Sequence, residues 1–318
     1  VERPGAPAGR PLVLDGGLGT ELQRHGRSVT APWWTAHCLL DIAGRRLVTR
    51  VHTEYAAAGA DVLTADTFRT TPRTAYRSGA DATTAAGLVR VAVTLAREAA
   101  ATVARPVLVA GSVAPIEDCY RPDLVPDDAA LRTEHAWLAD QLARAGVDLV
   151  LVETMNTVRE AVAAVRAVRA HGLPAWASFV CTAGARLLSG EDVAAAAAAV
   201  RAAGASAVLV NCTDPTGTER ALRRLRQVDA GLVGAYPNLE DRSDLPPATP
   251  VDRHLSPALS PDAFAGLWDG AQWRGLGIVG GCCGSTPAHI AALRARWPLA
   301  DRAGGQPAAG AGCATPGG

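Results

Sequence analysis

Two adjacent cysteines, Cys282 and Cys283, sit in a glycine-rich turn, GGCCG, at residues 280–284. A third, Cys212, ends an apolar run far upstream, LVNC. Inside a regular strand, neighbouring side chains point to opposite faces. Gly280, Gly281 and Gly284 let the backbone turn, so both sulfurs can face one ion. Three thiolates suit a borderline-soft metal, zinc foremost, and leave the fourth tetrahedral position open, which is a catalytic rather than a structural arrangement. Cys181 is the one candidate for a fourth ligand that would close the shell. Zinc with three thiolates keeps a net negative charge, and a substrate thiol arriving fourth would lose its proton there. That sulfur is poorly matched to hydrolysis and well matched to attack on an alkyl donor, and the neutral thioether product is a weaker ligand that can leave. The plainer alternatives are core packing of free cysteines and a strained vicinal disulfide. Cys38 and Cys119 read as core or surface residues, and Cys313 as incidental.

Carboxylates accompany the sulfurs. Asp15, in LDGGLGTE, has two readings: acceptor for a substrate ammonium, with the glycine amides receiving a carboxylate, or cap of the first turn. Glu153, in VETMN, follows four apolar residues and must be solvated or paired, because a lone buried carboxylate is costly. Substrate-amine binding is the favoured role. Trp33 and Trp34 could shield a donor or simply anchor their loop, and His135 reads as surface or helix packing rather than a ligand. The remaining histidines lack ligand spacing.

These residues need a scaffold. Eight short apolar runs begin at residues 12, 61, 106, 148, 174, 206, 231 and 275. Most are continuously apolar rather than alternating, as strands buried on both faces should be. Alanine-rich helical stretches lie between them, at 44–58, 83–104, 127–145, 157–170 and 191–203. Within 127–145, Ala129, Leu131, Trp137, Leu138 and Leu142 form an expected inward stripe, and Ser189 with Asp192 resembles a capping box. Glycines 59, 146, 172 and 204 supply helix stops before the next strand. Eight such units in about 300 residues point to one (β/α)8 TIM barrel. A doubly wound sheet is the alternative, but the first strand turn, DGGLGTE, has too few correctly spaced glycines for GxGxxG, and no Walker motif is present. Asp15, Asp66, Thr67, Ser112, Glu153, Thr154, Cys212, Asn238, Cys282 and Cys283 then fall at C-terminal strand ends, where a barrel keeps its active site. The long stretch 237–260 is expected to form the seventh strand-to-helix loop. A single domain over 1–303 is expected, with a flexible tail at 304–318.

Composition narrows the class. Lysine plus arginine equals aspartate plus glutamate, 31 against 31, so no charge excess draws the chain to nucleic acid or an anionic membrane. No apolar stretch is long enough to span a bilayer, and no signal peptide is visible, so a cytoplasmic protein is expected. Seven cysteines without a paired pattern do not read as a secreted disulfide scaffold.

LDGGLGTELQRHG, ADVLTADTF, AGSVAP, LVETMNTVREA, LVNC, YPN and VGGCCGSTPAHI together resemble the homocysteine S-methyltransferase family, from about residue 12 to 297. The resemblance implies a zinc-dependent barrel that moves a methyl group to homocysteine sulfur, with Cys212, Cys282 and Cys283 as zinc ligands. It also implies that Asp15 and Glu153 bind the amino acid, that Gly16, Gly17 and the amides near Thr20 help hold the thiol, and that Ser112 helps position a substrate. LTADTFRT and GGCCGSTP depart from the ITASYQ and GGCCRTTP of members using S-methylmethionine or S-adenosylmethionine, and lean toward the methionine-synthase-like and betaine-using side. The donor stays open among these sulfonium compounds, betaine and a methyl-corrinoid. The chain leaves no room for attached folate or cobalamin domains, so a corrinoid would arrive on a separate protein. The third loop, 114–127, is unlike the usual glycine-rich version and is expected to reshape the donor pocket. Competing readings are a specialised-metabolite thiol as acceptor, a metal-dependent hydrolase, and a noncatalytic zinc-stabilised scaffold.

Overall fold

A computed structural model describes residues 10–228, 231–244 and 252–298. The expected tail at 304–318, with Cys313, and the domain end at 303 lie outside the described residues. Eight parallel strands form one sheet: β1 (Leu12–Val13), β2 (Val62–Thr64), β3 (Leu108–Val113), β4 (Leu149–Met155), β5 (Ala175–Phe179), β6 (Ala207–Asn211), β7 (Leu232–Tyr236) and β8 (Ile278–Val279). Their order, β1-β8-β7-β6-β5-β4-β3-β2, leaves β1 and β2 at the two ends. The parallel bridge between Leu14 and Val62, with the Asp61 amide donating to Val13 and the Asp15 amide to Val62, joins those ends and closes a (β/α)8 barrel.

Side chains divide by alternation. Leu12, Leu14, Val62, Ala110, Leu149, Leu151, Trp176, Ala207, Leu209 and Ile278 fill the barrel interior as one cluster. Residues one step along, such as Val13, Leu63, Val109, Val150, Ala177, Val208, Ala235 and Val279, join the larger layer beneath the helices. The helices are α1 (Leu18–Arg24), α2 (Ile42–Ala58), α3 (Pro72–Arg77), α4 (Ala82–Ala100), α5 (Asp128–Ala145), α6 (Val158–Ala170), α7 (Val193–Ala202), α8 (Pro215–Arg226), α9 (Pro261–Gly266) and α10 (Pro287–Ala295). None of the described helices is long and apolar enough to cross a membrane.

Gly59 and Gly146 end α2 and α5 in the left-handed region, and Gly172 and Gly204 adopt it after α6 and α7, at the expected stops. Two local expectations change. Asp192 itself caps α7, accepting from the Ala194 and Ala195 amides, while Ser189 Oγ donates to Glu191 rather than capping. On α5 the inward stripe is Leu131, His135, Leu138, Ala139 and Leu142, with Ala129 exposed and Trp137 half-buried. His135 is therefore not a surface residue: its Nε2 lies 3.3 Å from Oε1 of fully buried Glu160, which also accepts from the Ile116 amide. A polar pair thus occupies a helix face that hydrophobic periodicity would have filled with apolar residues.

At the N-terminal barrel face, Asp61 accepts from the Val13 amide at 2.9 Å and from Arg10 at 2.8 Å, and it pairs with Arg294 of α10. One carboxylate thus ties β1, β2 and α10 together, far from the opposite mouth. Asp61→Ala leaves the Arg294 guanidinium, whose side chain is 9% exposed, without its charge partner. A loss of about 3–5 kcal/mol in unfolding free energy is expected from removing one member of a buried pair. Urea denaturation checks it, and a loss below about 1 kcal/mol would contradict the assignment.

Candidate metal and substrate site

The C-terminal ends of β6 and β8 bring the three expected sulfurs together. The Sγ atoms of Cys212, Cys282 and Cys283 all lie within 4.8 Å of one another, and all three residues are half-buried. Cys212 follows β6 with φ 48°, a left-handed conformation for a residue with a Cβ. The cysteine turn of β8 is held from several sides. The Leu239 amide donates to Cys283 O, the Cys282 amide to Pro237 O, and the Gly281 amide to Asp15 O. Gly284 has φ +78°, and a Cβ there would lie 2.5 Å from the Glu240 nitrogen, so glycine is required.

The donor set fits a thiophilic ion. Cys212 and Cys282 sulfurs approach to 2.6 Å, inside the roughly 3.8 Å edge of a tetrahedron with ~2.3 Å zinc–sulfur bonds, so an entering ion would spread them. With three thiols in one place, mutual repulsion prevents joint ionisation. Sulfur–sulfur hydrogen bonds push the Cys212 pKa up, while bonds from Cys212 and Cys282 push that of Cys283 down. Cys181 does not complete the shell: it is buried in the layer beneath the helices, and its amide donates to Thr213 Oγ1. Among the described residues no histidine or carboxylate joins the sulfur cluster.

Two carboxylates line the same mouth. Asp15 does not cap α1, whose N-cap position is Gly17 without a side-chain cap. Its carboxylate instead crosses to β2, accepting from the Thr64 amide at 2.7 Å and Thr64 Oγ1 at 2.9 Å. Glu153, near the end of β4, accepts from Ser112 Oγ at 2.5 Å and from the Tyr236 hydroxyl at 3.1 Å. Burial pushes both pKa values up, each to about 7, against the opposing pull of those hydrogen bonds. A cation arriving between them would relieve that cost.

Gly16, Gly17 and Thr20 lie beside the cysteine turn. The Gly17 amide donates to Ser285 Oγ, while Thr20 Oγ1 donates to Gly17 O and accepts from the Gly284 amide. Ser112 is locked to the loop after β2 by reciprocal bonds with Thr67, at 2.8 Å each. Thr154 bonds across to Asn211 rather than locally. Asn238 Oδ1 accepts from the Glu240 amide within the seventh loop. Asp66 accepts from Thr35 Oγ1, pinning the first loop, and burial raises its pKa to about 6. Trp33 is buried as an anchor, whereas Trp34 faces Phe68 at 6.4 Å and Arg69 at 5.8 Å.

Sequence reasoning missed Thr64, Tyr236, Asn211 and Tyr120. Tyr236 sits in the YPN segment, but nothing in its spacing reveals a bond to β4. The third loop carries Tyr120. It is held down by Asn156 Nδ2 on Cys119 O at 2.9 Å and by Arg69 on the carbonyls of Pro115 and Glu117. Tyr120 is partly exposed, and its nearness to Cys212 foremost pushes its hydroxyl pKa up, so the phenol stands within the electrostatic reach of the sulfurs.

A model of the family described as homocysteine S-methyltransferase matches residues 12–297. Homocysteine S-methyltransferase 1 of Zea mays is 30% identical over 91% of this chain and 94% of its own length. A selenocysteine Se-methyltransferase of Brassica oleracea var. italica is 28% identical over 89% of this chain and 88% of that protein. The metallated form of the homocysteine methyltransferase MmuM from Escherichia coli superposes with a TM-score of 0.76 at 28% identity, covering 91% of this chain and 97% of MmuM.

Proposed function

The chain belongs to the homocysteine S-methyltransferase family and is a thiol methyltransferase; from that premise we propose that it methylates the sulfur of homocysteine, or a related amino-acid thiol or selenol, at a zinc site of Cys212, Cys282 and Cys283. The observation that carries this reading is the convergence of three sulfurs within 4.8 Å beside two buried carboxylates. Zinc bound there would supply an open position at which an acceptor thiol is kept deprotonated at neutral pH.

The chain's own residues do the rest. Asp15 and Glu153 offer negative charge to the acceptor's ammonium, and Ser112, Thr64 and Tyr236 fix their orientation. The acceptor sulfur's electron pair forms the new bond to the methyl carbon. The carbon's bond to the donor heteroatom breaks, and its pair stays with the donor. The barrel mouth contributes alignment, which supplies much of the rate in such displacements. Trp34, Phe68 and Tyr120 border the donor side in this reading. The relatives named above are homocysteine and selenocysteine methyltransferases, so S-methylmethionine and S-adenosylmethionine stand beside betaine and a protein-borne methyl-corrinoid as donors.

Hydrolysis is disfavoured, since no histidine or carboxylate among the described residues lies within ligand reach of the sulfurs. A closed structural site is disfavoured by the distant placement of Cys181. A specialised-metabolite thiol is the variant that keeps the same chemistry. The deciding assay offers homocysteine and selenocysteine to the zinc-loaded protein with each donor and detects the methylated product by mass spectrometry. Methionine or Se-methylselenocysteine is expected with at least one donor; absence of product with every donor would overturn the reading.

The carboxylates impose a pH dependence. Each must be ionised to hold an ammonium, and each has its pKa raised to about 7. Acceptor affinity is therefore present above pH 7 and lost as pH falls through it. For one titrating group the loss approaches about tenfold per pH unit below that point. The KM for homocysteine is expected to rise from pH 8 to pH 6, and a flat profile would remove these carboxylates from ammonium binding.

A further inference from the structure

Strands β4 and β6 end in the same irregularity. In β4, Leu149 and Leu151 face the barrel interior, while Val150 and Val152 face the helices. Alternation then turns Glu153 inward, and would send Thr154 outward and Met155 inward. Instead Thr154 has φ 57°, the register with β5 shifts between Val152 and Met155, and Met155 joins the outer layer. Two successive residues, Glu153 and Thr154, are thereby given to the inner side.

In β6, Ala207 and Leu209 face inward and Val208 and Val210 outward, which places Asn211 inward. Cys212 would then face the helices, but its φ of 48° returns its sulfur to Cys282. Both turns use left-handed backbone at residues with a Cβ, which persists only where surrounding contacts enforce it.

One buried amide links the two irregularities. Asn211 Oδ1 accepts from the Thr154 amide at 3.1 Å and from Ser178 Oγ on β5 at 2.7 Å, while its Nδ2 donates to Thr154 Oγ1 at 2.9 Å. The bond to the Thr154 amide supplies a partner at the register break, where the regular ladder is interrupted. Asn211 is wholly buried and adjoins Cys212, and Thr154 adjoins Glu153.

We propose that Asn211 is a positioning residue that locks the Glu153 carboxylate and the Cys212 thiol into one fixed relation across β4, β5 and β6. Resting on the methyltransfer reading above, it fixes the separation between the group that holds the acceptor's amine and the group that anchors its sulfur. It touches neither substrate nor metal. Its work is to set a distance that two left-handed residues would otherwise leave free.

The test uses Asn211→Ala, Thr154→Gly and Thr154→Ser in the full chain. Glycine adopts the left-handed conformation readily but removes the Oγ1 that Asn211 grips, whereas serine keeps it. Zinc affinity by chelator competition and homocysteine affinity by calorimetry are measured without turnover, with thermal melting as the folding control. Asn211→Ala and Thr154→Gly are each expected to weaken zinc and homocysteine binding about 10–100-fold, the range for outer-shell partners. Thr154→Ser is expected to restore both toward wild type, and in the variants the homocysteine KM rises while the donor KM stays within about twofold. A folded Asn211→Ala or Thr154→Gly that keeps both affinities within about twofold overturns the proposal. If Asn211→Ala does not fold, the glycine and serine pair at Thr154 decides. A wild type that binds zinc and homocysteine yet methylates nothing would sink the methyltransfer reading while leaving these binding comparisons in force.

Discussion

Cys283→Ala is expected to abolish tight zinc binding and to lower methyl transfer by more than about 10³-fold, since loss of outer-shell partners alone costs 10–100-fold. Cys283 is half-buried and lies outside the two hydrophobic clusters, so little packing is lost with its sulfur. The metal-free variant should still unfold cooperatively, within a few degrees of the metal-free wild type. This combination separates a chemical role from a scaffolding one. In a metal-stabilised scaffold, removing a ligand would erase the fold along with the metal. Metal content after anaerobic purification, melting and turnover are the measurements. A variant that keeps a full zinc equivalent would contradict the three-cysteine assignment.

Glu153→Gln should act in opposite directions on stability and on acceptor binding. Burial foremost raises the Glu153 pKa from 4.5 to about 7. A carboxyl with a native pKa above its unfolded value costs nothing below about pH 4.5, costs more as pH rises toward 7, and costs its full amount above 7. That full amount is about 3 kcal/mol on the scale of 1.36 kcal/mol per pKa unit. Glutamine carries no such cost, so the variant should be more stable than wild type at pH 8 and gain little at pH 4. It also lacks the charge that would hold the acceptor's ammonium. A rise of about 10–100-fold in the homocysteine KM is expected, from the 1.5–3 kcal/mol assigned to hydrogen bonds with charged groups. Stability bought at the cost of substrate binding is the signature of a residue kept for function. A variant both less stable at pH 8 and unchanged in KM would place Glu153 in the scaffold instead.

Much of the architecture was legible in the residues because parallel barrel strands are buried on both faces. SAVLVN and DLVLVE read as strands without any tertiary knowledge, and the glycines at 59, 146, 172 and 204 mark where helices stop. The three cysteines were legible for a similar reason: their types and glycine setting are rare enough to suggest a shared purpose. The partners of Asp15 and Glu153 were not. Thr64 and Tyr236 meet those carboxylates only because β1 sits beside β2 and because a residue on β7 reaches toward β4 within the barrel. Spacing along the chain holds no record of either meeting.

Conformation was the other hidden layer. Nothing in VETMN or VNC announces left-handed backbone at Thr154 and Cys212, since neither is glycine or asparagine. The asparagine that serves both turns lies one residue before Cys212, and its inward direction follows from the β6 alternation only after the strand ends are known. What His135 packs against was hidden for a related reason. Its partner Glu160 belongs to the next helix, and the pair satisfies itself where periodicity would have asked for leucine.

The central claim is that three cysteine sulfurs hold an ion that accepts the acceptor's sulfur as a further ligand. Cobalt substitution tests it most directly, because thiolate-to-cobalt charge-transfer absorption grows with each sulfur bound. One equivalent of cobalt should produce that absorption in the wild-type protein, and homocysteine should increase it while homoserine, which lacks the sulfur, should not. Absorption that homocysteine leaves unchanged, or that Cys212→Ala, Cys282→Ala and Cys283→Ala all retain, would contradict the account.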